Sequence, residues 1–455
     1  SLARAIVSAD ADATGIAGGN SIDRIVHSGN IDTTSLADAD ATSVSANITI
    51  GIPLGAALAN TNVTADANST GIAAAGANDW ILSSGHLGAD ATSTATGVGV
   101  TVNILGAALG NMDVDAISYA AGVAGGAGRD YIEHSGDIVS DASATGNGTS
   151  VSVTAVGASI TDASNYADAQ SYGIDAGSGK DEVLNTGAMT VTATSLARAT
   201  GVSVALTGAA LNNPIDDANS EAYAYASGVY GGTDRDTLWH ADTGSITSTA
   251  TATARDVEVS VTQLGAAIGD INARANAFAF GLDGGDGDDK LWSAGGITTS
   301  ATADSRGTNV AVNIIGAALT NVVEDSSITA DARAAALVGG AGEDRLYHSG
   351  VSTNTATATT GSVGVSVALE GAAMSDASTN TIATAFGLDG GASCDRLYNE
   401  GTLNTIASAI SSATTVNVNL IGAAIGDSRT RTEANARGMA GGSAGDVLEN
   451  AGVLM

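Results

Sequence analysis

The chain has 455 residues, 60 of them glycine, with 3% aromatic residues and a single cysteine, Cys394. Its 48 acidic and 16 basic residues give a net charge of −32, which argues against nucleic acid and anionic membrane surfaces as partners, since both are polyanions. One cysteine excludes a disulfide within the chain, and no apolar run is long enough to cross a bilayer as a helix. So few bulky side chains cannot fill an ordinary globular core. Yet 44% hydrophobic residues in regular alternation is wrong for disorder.

In chain order the dominant signal is a repeat. An aspartate closes a glycine-rich turn at Asp23, Asp79, Asp130, Asp181, Asp236, Asp289, Asp344, Asp395 and Asp446, at intervals of 56, 51, 51, 55, 53, 55, 51 and 51 residues. A Gly-Ala-Ala motif interleaves with these turns, beginning at Gly55, Gly106, Gly157 (with Ser159 as its third residue), Gly208, Gly265, Gly316, Gly371 and Gly422. The two half-spacings are 27 and 24 residues, each in six of eight cases, so the parent unit is 51 residues. Small insertions, such as those near Asn213-Pro214 and between Gly316 and Asp344, behave like surface turns. A fixed period of this size marks stacked copies of one unit.

Within a unit the first element is a valine stripe, for example Val363-Gly364-Val365-Ser366-Val367. Its period of two predicts a half-buried strand. After the Gly-Ala-Ala turn comes a second alternating strand built on alanine, such as Ala222-Tyr223-Ala224-Tyr225-Ala226. The aspartate turn follows, then a short third strand such as Arg345-Leu346-Tyr347-His348. A fourth segment, Thr355-Ala356-Thr357-Ala358-Thr359 in this unit, returns to the valine stripe. No segment has helical periodicity. The predicted fold is all-β, a parallel β-solenoid of about nine 51-residue units. The near-equal halves favour two coils per unit and a rod about 80–85 Å long at about 4.8 Å per coil. A single flattened coil per unit would halve that length. Residues 1–455 are expected to form one continuous array, a window of a longer chain without caps.

The clearest turns, Gly125-Gly126-Ala127-Gly128-Arg129-Asp130, Gly284-Gly285-Asp286-Gly287-Asp288-Asp289 and Gly339-Gly340-Ala341-Gly342-Glu343-Asp344, resemble the calcium-binding nonapeptide of RTX proteins. That resemblance implies Ca²⁺ at Asp130, Asp289 and Asp344, held by stacked carboxylates and carbonyls. It is partial: RTX motifs recur in tandem, and Ser21, Ala77, Asp234, Ser393 and Ala444 replace the third glycine. The other reading is a tight turn that uses glycine for positive φ and aspartate to accept a backbone N–H. The wider pattern, aspartate–x–apolar–x–His/Asn–x–Gly followed by Ala/Thr alternation, is similar to repeats of autotransporter passengers and haemagglutinin-like adhesins. It implies a secreted or surface location.

Two further columns follow each aspartate. Four residues on stand His27, Ser83, His134, Asn185, His240, Ser293, His348, Asn399 and Asn450, expected to be a hydrogen-bonded ladder or an exposed polar turn. Three residues on stand Trp239, Trp292, Tyr347 and Tyr398, read as a lateral contact stripe if they share an outward face. No long irregular loop carries clustered acids and bases, so an enzyme is not expected. Ice binding needs aligned threonines. Thr249-Ala250-Thr251-Ala252-Thr253 qualifies, but Asp141-Ala142-Ser143 and Ile406-Ala407-Ser408 break the row at equivalent places. What remains is a structural repeat protein forming an extracellular or cell-surface fibre, with self-association into fibres or bundles. The alternative is the stalk of a large bacterial adhesin with Ca²⁺-stabilised turns.

Overall fold

The computed structural model describes residues 1–47, 55–212, 220–321 and 328–455. The insertions at Asn213-Pro214 and much of the one after Gly316 lie outside the described residues. Among the described residues there is no helix. Every strand pairing is parallel, in one fourteen-stranded and one nine-stranded sheet. The chain is therefore an all-β parallel β-solenoid.

The register corrects the coil count. Gly106 pairs with Gly157, Gly157 with Gly208, and Gly208 with Gly265. The short strands stack likewise, Ile81 on Ile132 and Ile132 on Val183. Like sits on like one whole unit apart, so each 51-residue unit is a single coil and not two. The reason is that the two half-units do not stack on each other. They face each other across the core as opposing walls. Nine coils at about 4.8 Å give a stack about 40 Å tall.

One coil shows the construction. The strand His86–Ala124 runs along the first wall, folds back at Gly106 (φ 120°), and returns along the second. Ser93 Oγ and Ser118 Oγ, one from each wall, meet at 2.8 Å. The aspartate turn then leads into the short strand Tyr131–His134, which closes the other end. The cross-section is a wedge. Its broad end holds Leu87, Ile132, Ile138 and Ile174, all buried. Its middle is lined by alanines, such as Ala142, Ala193 and Ala250 on one wall and Ala167, Ala222 and Ala275 on the other.

At the narrow end the walls lie close, and small residues, alanine, serine, threonine and asparagine, fill most of the space. Ser152, Ser203, Ser260 and Ser366 donate across to the carbonyls of Ile160, Leu211, Ile268 and Met374 at 2.6–2.8 Å. Asn103 Nδ2 donates to the carbonyls of Gly55 and Ala107, and Asn313 repeats this on Gly265 and Ala317. These bonds satisfy buried backbone acceptors at the corner. The consequence is that the valines of the first stripe point outward, partly exposed, while Gly99, Thr101 and their equivalents point in. Alternation is as the sequence reads, but the buried face is the small, polar one.

Where a large side chain enters the middle, glycine faces it. Met112 lies opposite Gly97, on which a Cβ would stand 2.9 Å from its Sδ and 3.0 Å from Val114 Cγ2. Gly97→Val is expected to lose about 1–3 kcal/mol by overpacking. Met112→Ala in the same chain should recover part of that loss, giving a coupling of about 0.5–3 kcal/mol in a double-mutant cycle read by thermal unfolding. Strictly additive losses would contradict this packing.

Candidate functional surfaces

The aspartate turns form a continuous ladder. Each aspartate backbone N–H donates to Oδ1 of the aspartate one coil further along, from Asp23 to Asp79 and on through Asp395 to Asp446, eight bonds of 2.6–3.0 Å. This is the backbone-accepting role that residue type suggests in such a turn. Gly126 and Gly128 both have positive φ, and a Cβ on either would overlap a backbone carbonyl of the coil before it. Ala77, Asp234, Ser393 and Ala444 adopt the same left-handed conformation without being glycine. The turn geometry is therefore held by the stack even where the local sequence disfavours it.

The second carboxylate oxygens face inward. Oδ2 of every aspartate in the column from Asp23 to Asp395 is buried with no hydrogen-bond partner. In the three best turns it lies against the first glycine, so that a Cβ on Gly125, Gly284 or Gly339 would stand 2.5–3.0 Å from Oδ2 of Asp130, Asp289 or Asp344. Turn carbonyls are engaged too: Gly126 accepts from the Ser178 N–H and Gly285 from the Ala341 N–H. Among the described residues no group of three or more His, Cys, Asp or Glu is placed to hold a metal ion.

Burial, partly offset by the donated N–H and reinforced by neighbouring carboxylates, raises these aspartates. Asp130 is pushed up to about 6, Asp181, Asp289 and Asp344 to about 7, and Asp236 to about 8. The polar column four residues on is also buried and points inward from His27 to Asn399. Asn185 Nδ2 and His240 Nδ1 meet at 3.2 Å, Ser83 Oγ and His27 Nδ1 at 3.0 Å, and Asn399 donates to Asn450 at 2.7 Å. The expected ladder is therefore real over part of its length. Burial lowers His134, His240 and His348 to about 4, so they are neutral in the fold.

These shifts have opposite signs. An aspartate raised in the folded state contributes stability that is complete below its ordinary value of 3.8 and is lost as pH climbs to about 8. A lowered histidine contributes stability that is complete above 6.5 and is lost as pH falls towards 4. Between pH 6.5 and 8 only the aspartates of these two columns titrate, so the melting temperature should fall across that window. Asp236→Asn, which keeps Oδ1 for the Asp181 N–H, should flatten the fall. Asp236→Ala should cost about 1–3 kcal/mol by orphaning that N–H. A melting temperature that rises from pH 6.5 to 8 would contradict the ladder's protonation.

The outward faces carry the rest. Trp239, Trp292, Tyr347 and Tyr398 stand on one outer face of the nine-stranded sheet, as the stripe requires. Trp239 stacks on Trp292 at 5.0 Å and 5°, and Tyr347 on Tyr398 at 5.4 Å and 14°. Both tyrosine hydroxyls donate to Glu400. The rings cover one another, leaving their edges to solvent.

The first wall carries a larger feature that composition hid. Valines two and four residues apart stack outward over seven coils, Val100 on Val151 on Val202 and onward to Val416. They form a shallow apolar groove lined by Val102, Val153, Val204, Val261, Val312 and Ile314. Exposed Leu206, Leu264, Ile315 and Leu369 extend it to the corner. The period-two stripe was the available signal for this field; its outward direction follows only from the narrow interior. No family model, curated protein or solved structure matches this chain.

Proposed function

We propose that this protein is a structural, non-enzymatic repeat protein of an extracellular or cell-surface fibre, in which solenoids associate side by side with further copies of themselves. The observation that carries the reading is the outward valine field. A contiguous apolar patch of this extent marks an interaction surface, and a rigid in-register ladder of β-branched side chains suits another such ladder, as in sheet-on-sheet packing. The acidic surface elsewhere limits indiscriminate association. Similarity to autotransporter and haemagglutinin-like repeats supports the location.

The second reading is an adhesin stalk with Ca²⁺-stabilised turns. It is favoured by the line of inward Oδ2 oxygens, which includes those of Asp130, Asp289 and Asp344.

Sedimentation and electron microscopy of the full chain test both readings. The parent is expected to associate laterally, and Val204→Lys with Val312→Lys should keep it monomeric with an unchanged melting temperature. Association and melting should not respond to a chelator. A parent that stays monomeric at high concentration would contradict the fibre. A melting temperature that drops on chelation and recovers with Ca²⁺ would favour the calcium-stabilised stalk.

A further inference from the structure

The same wall carries a second outward field, on the far side of a row formed by Arg198, Arg255 and Arg306. Outward positions within 190–196, 247–253, 298–304 and 353–359 make four rows of four in four consecutive coils. All are threonine except Leu196, Ser300 and Asp304. Thr194 pairs with Thr251, Thr251 with Thr302, and Thr302 with Thr357. The breaks seen in the sequence at Asp141 and Ile406 lie in the coils that border this field, not within it.

The field has three properties that together select a ligand. It is a lattice: neighbouring threonines repeat at about 4.8 Å between coils and about 6.7 Å along a strand. It is rigid, because β-branched side chains hold few rotamers and the strands beneath pack through buried Ala193, Ala250, Ala301 and Ala356. It is uncharged in a chain of net charge −32, apart from Asp304, which is paired with Arg255 and Arg306 at 3.3 and 2.9 Å. Strand preference alone would place threonine equally in every coil, yet the bordering coils carry aspartate, valine and isoleucine at these positions.

We propose that this threonine field binds crystalline water, an ice surface. The oxygen rows of hexagonal ice repeat on nearly the same two spacings. Each threonine offers a hydroxyl that can join the lattice and a methyl that seats between its rows. A neutral, ordered, non-covalent array suits a neutral crystal, where a flexible or charged surface would not. Crystalline polysaccharide is less well served, because the aromatic rings that would stack on sugars stand away from the threonines, Trp239 and Trp292 on the nine-stranded sheet and Tyr223 and Phe278 on the opposite wall.

The test uses the full 455-residue chain and measures thermal hysteresis, ice shaping and partition into slowly grown ice. The parent should shape crystals and concentrate in the ice. Thr251→Tyr with Thr302→Tyr should lose both properties while keeping the parent melting temperature. Val204→Lys with Val312→Lys should keep both, which separates this field from the valine field and from the fibre reading. A parent excluded from ice would overturn the proposal. So would threonine variants that partition like the parent, or a chain that binds microcrystalline cellulose through these threonines and leaves ice growth unaltered.

Discussion

Everything in this structure depends on how close the two walls of each coil stand. Alanine, serine, threonine, asparagine and glycine fill most of the space between them; larger groups enter at the broad end, opposite glycine, as Met112 does at Gly97, or as the buried pair Asp256 and Glu258. This spacing moves the bulky β-branched residues to the outside. It also replaces much of the usual hydrophobic core with hydrogen bonds across the narrow end, such as Ser152 to Ile160 and Asn313 to Ala317. The hydrophobic contribution of a thin interior is spread over many alanines, each small in area. Cohesion therefore rests on continuous parallel ladders that run from coil to coil.

The aspartate ladder is the side-chain counterpart of those backbone ladders. Each carboxylate accepts one N–H from the neighbouring coil, so it reinforces stacking at the point where the glycine turns bring backbones closest. The same closeness desolvates the carboxyl groups and sets them near one another, which is why they hold protons into the neutral range. A protonated carboxyl needs no counter-ion. In the turn that resembles a metal loop, Oδ1 accepts the neighbouring backbone N–H while Oδ2 is buried without a hydrogen-bond partner.

Much of this was legible in the residues. The spacing of Asp130, Asp181 and Asp236 reveals the unit, alternation at Val363-Gly364-Val365 reveals strands, and Trp239 to Tyr398 reveals a shared outward column. Three things were not. Period alone cannot distinguish one coil per unit from two, because both place Gly157 over Gly106 after a whole repeat. Alternation shows that two faces differ but not which lies inside, and that choice is made by the distance to the opposite wall. The threonine field escaped because it occupies four adjacent coils, and comparison with coils at Asp141 and Ile406 lands just beyond its borders. The outward surfaces on which the proposed association and ice binding rest are in each case defined by packing on the inward side.

The central claim is one coil per 51-residue unit, with every functional column in register. Pulsed electron–electron resonance between nitroxides at two outward sites tests it most directly. Thr92 and Thr357 occupy the same column five coils apart. With Cys394→Ser as background, labels at Thr92→Cys and Thr357→Cys should lie about 24 Å apart, five steps of about 4.8 Å. A separation of about twice that value would mean two coils per unit and would contradict the account.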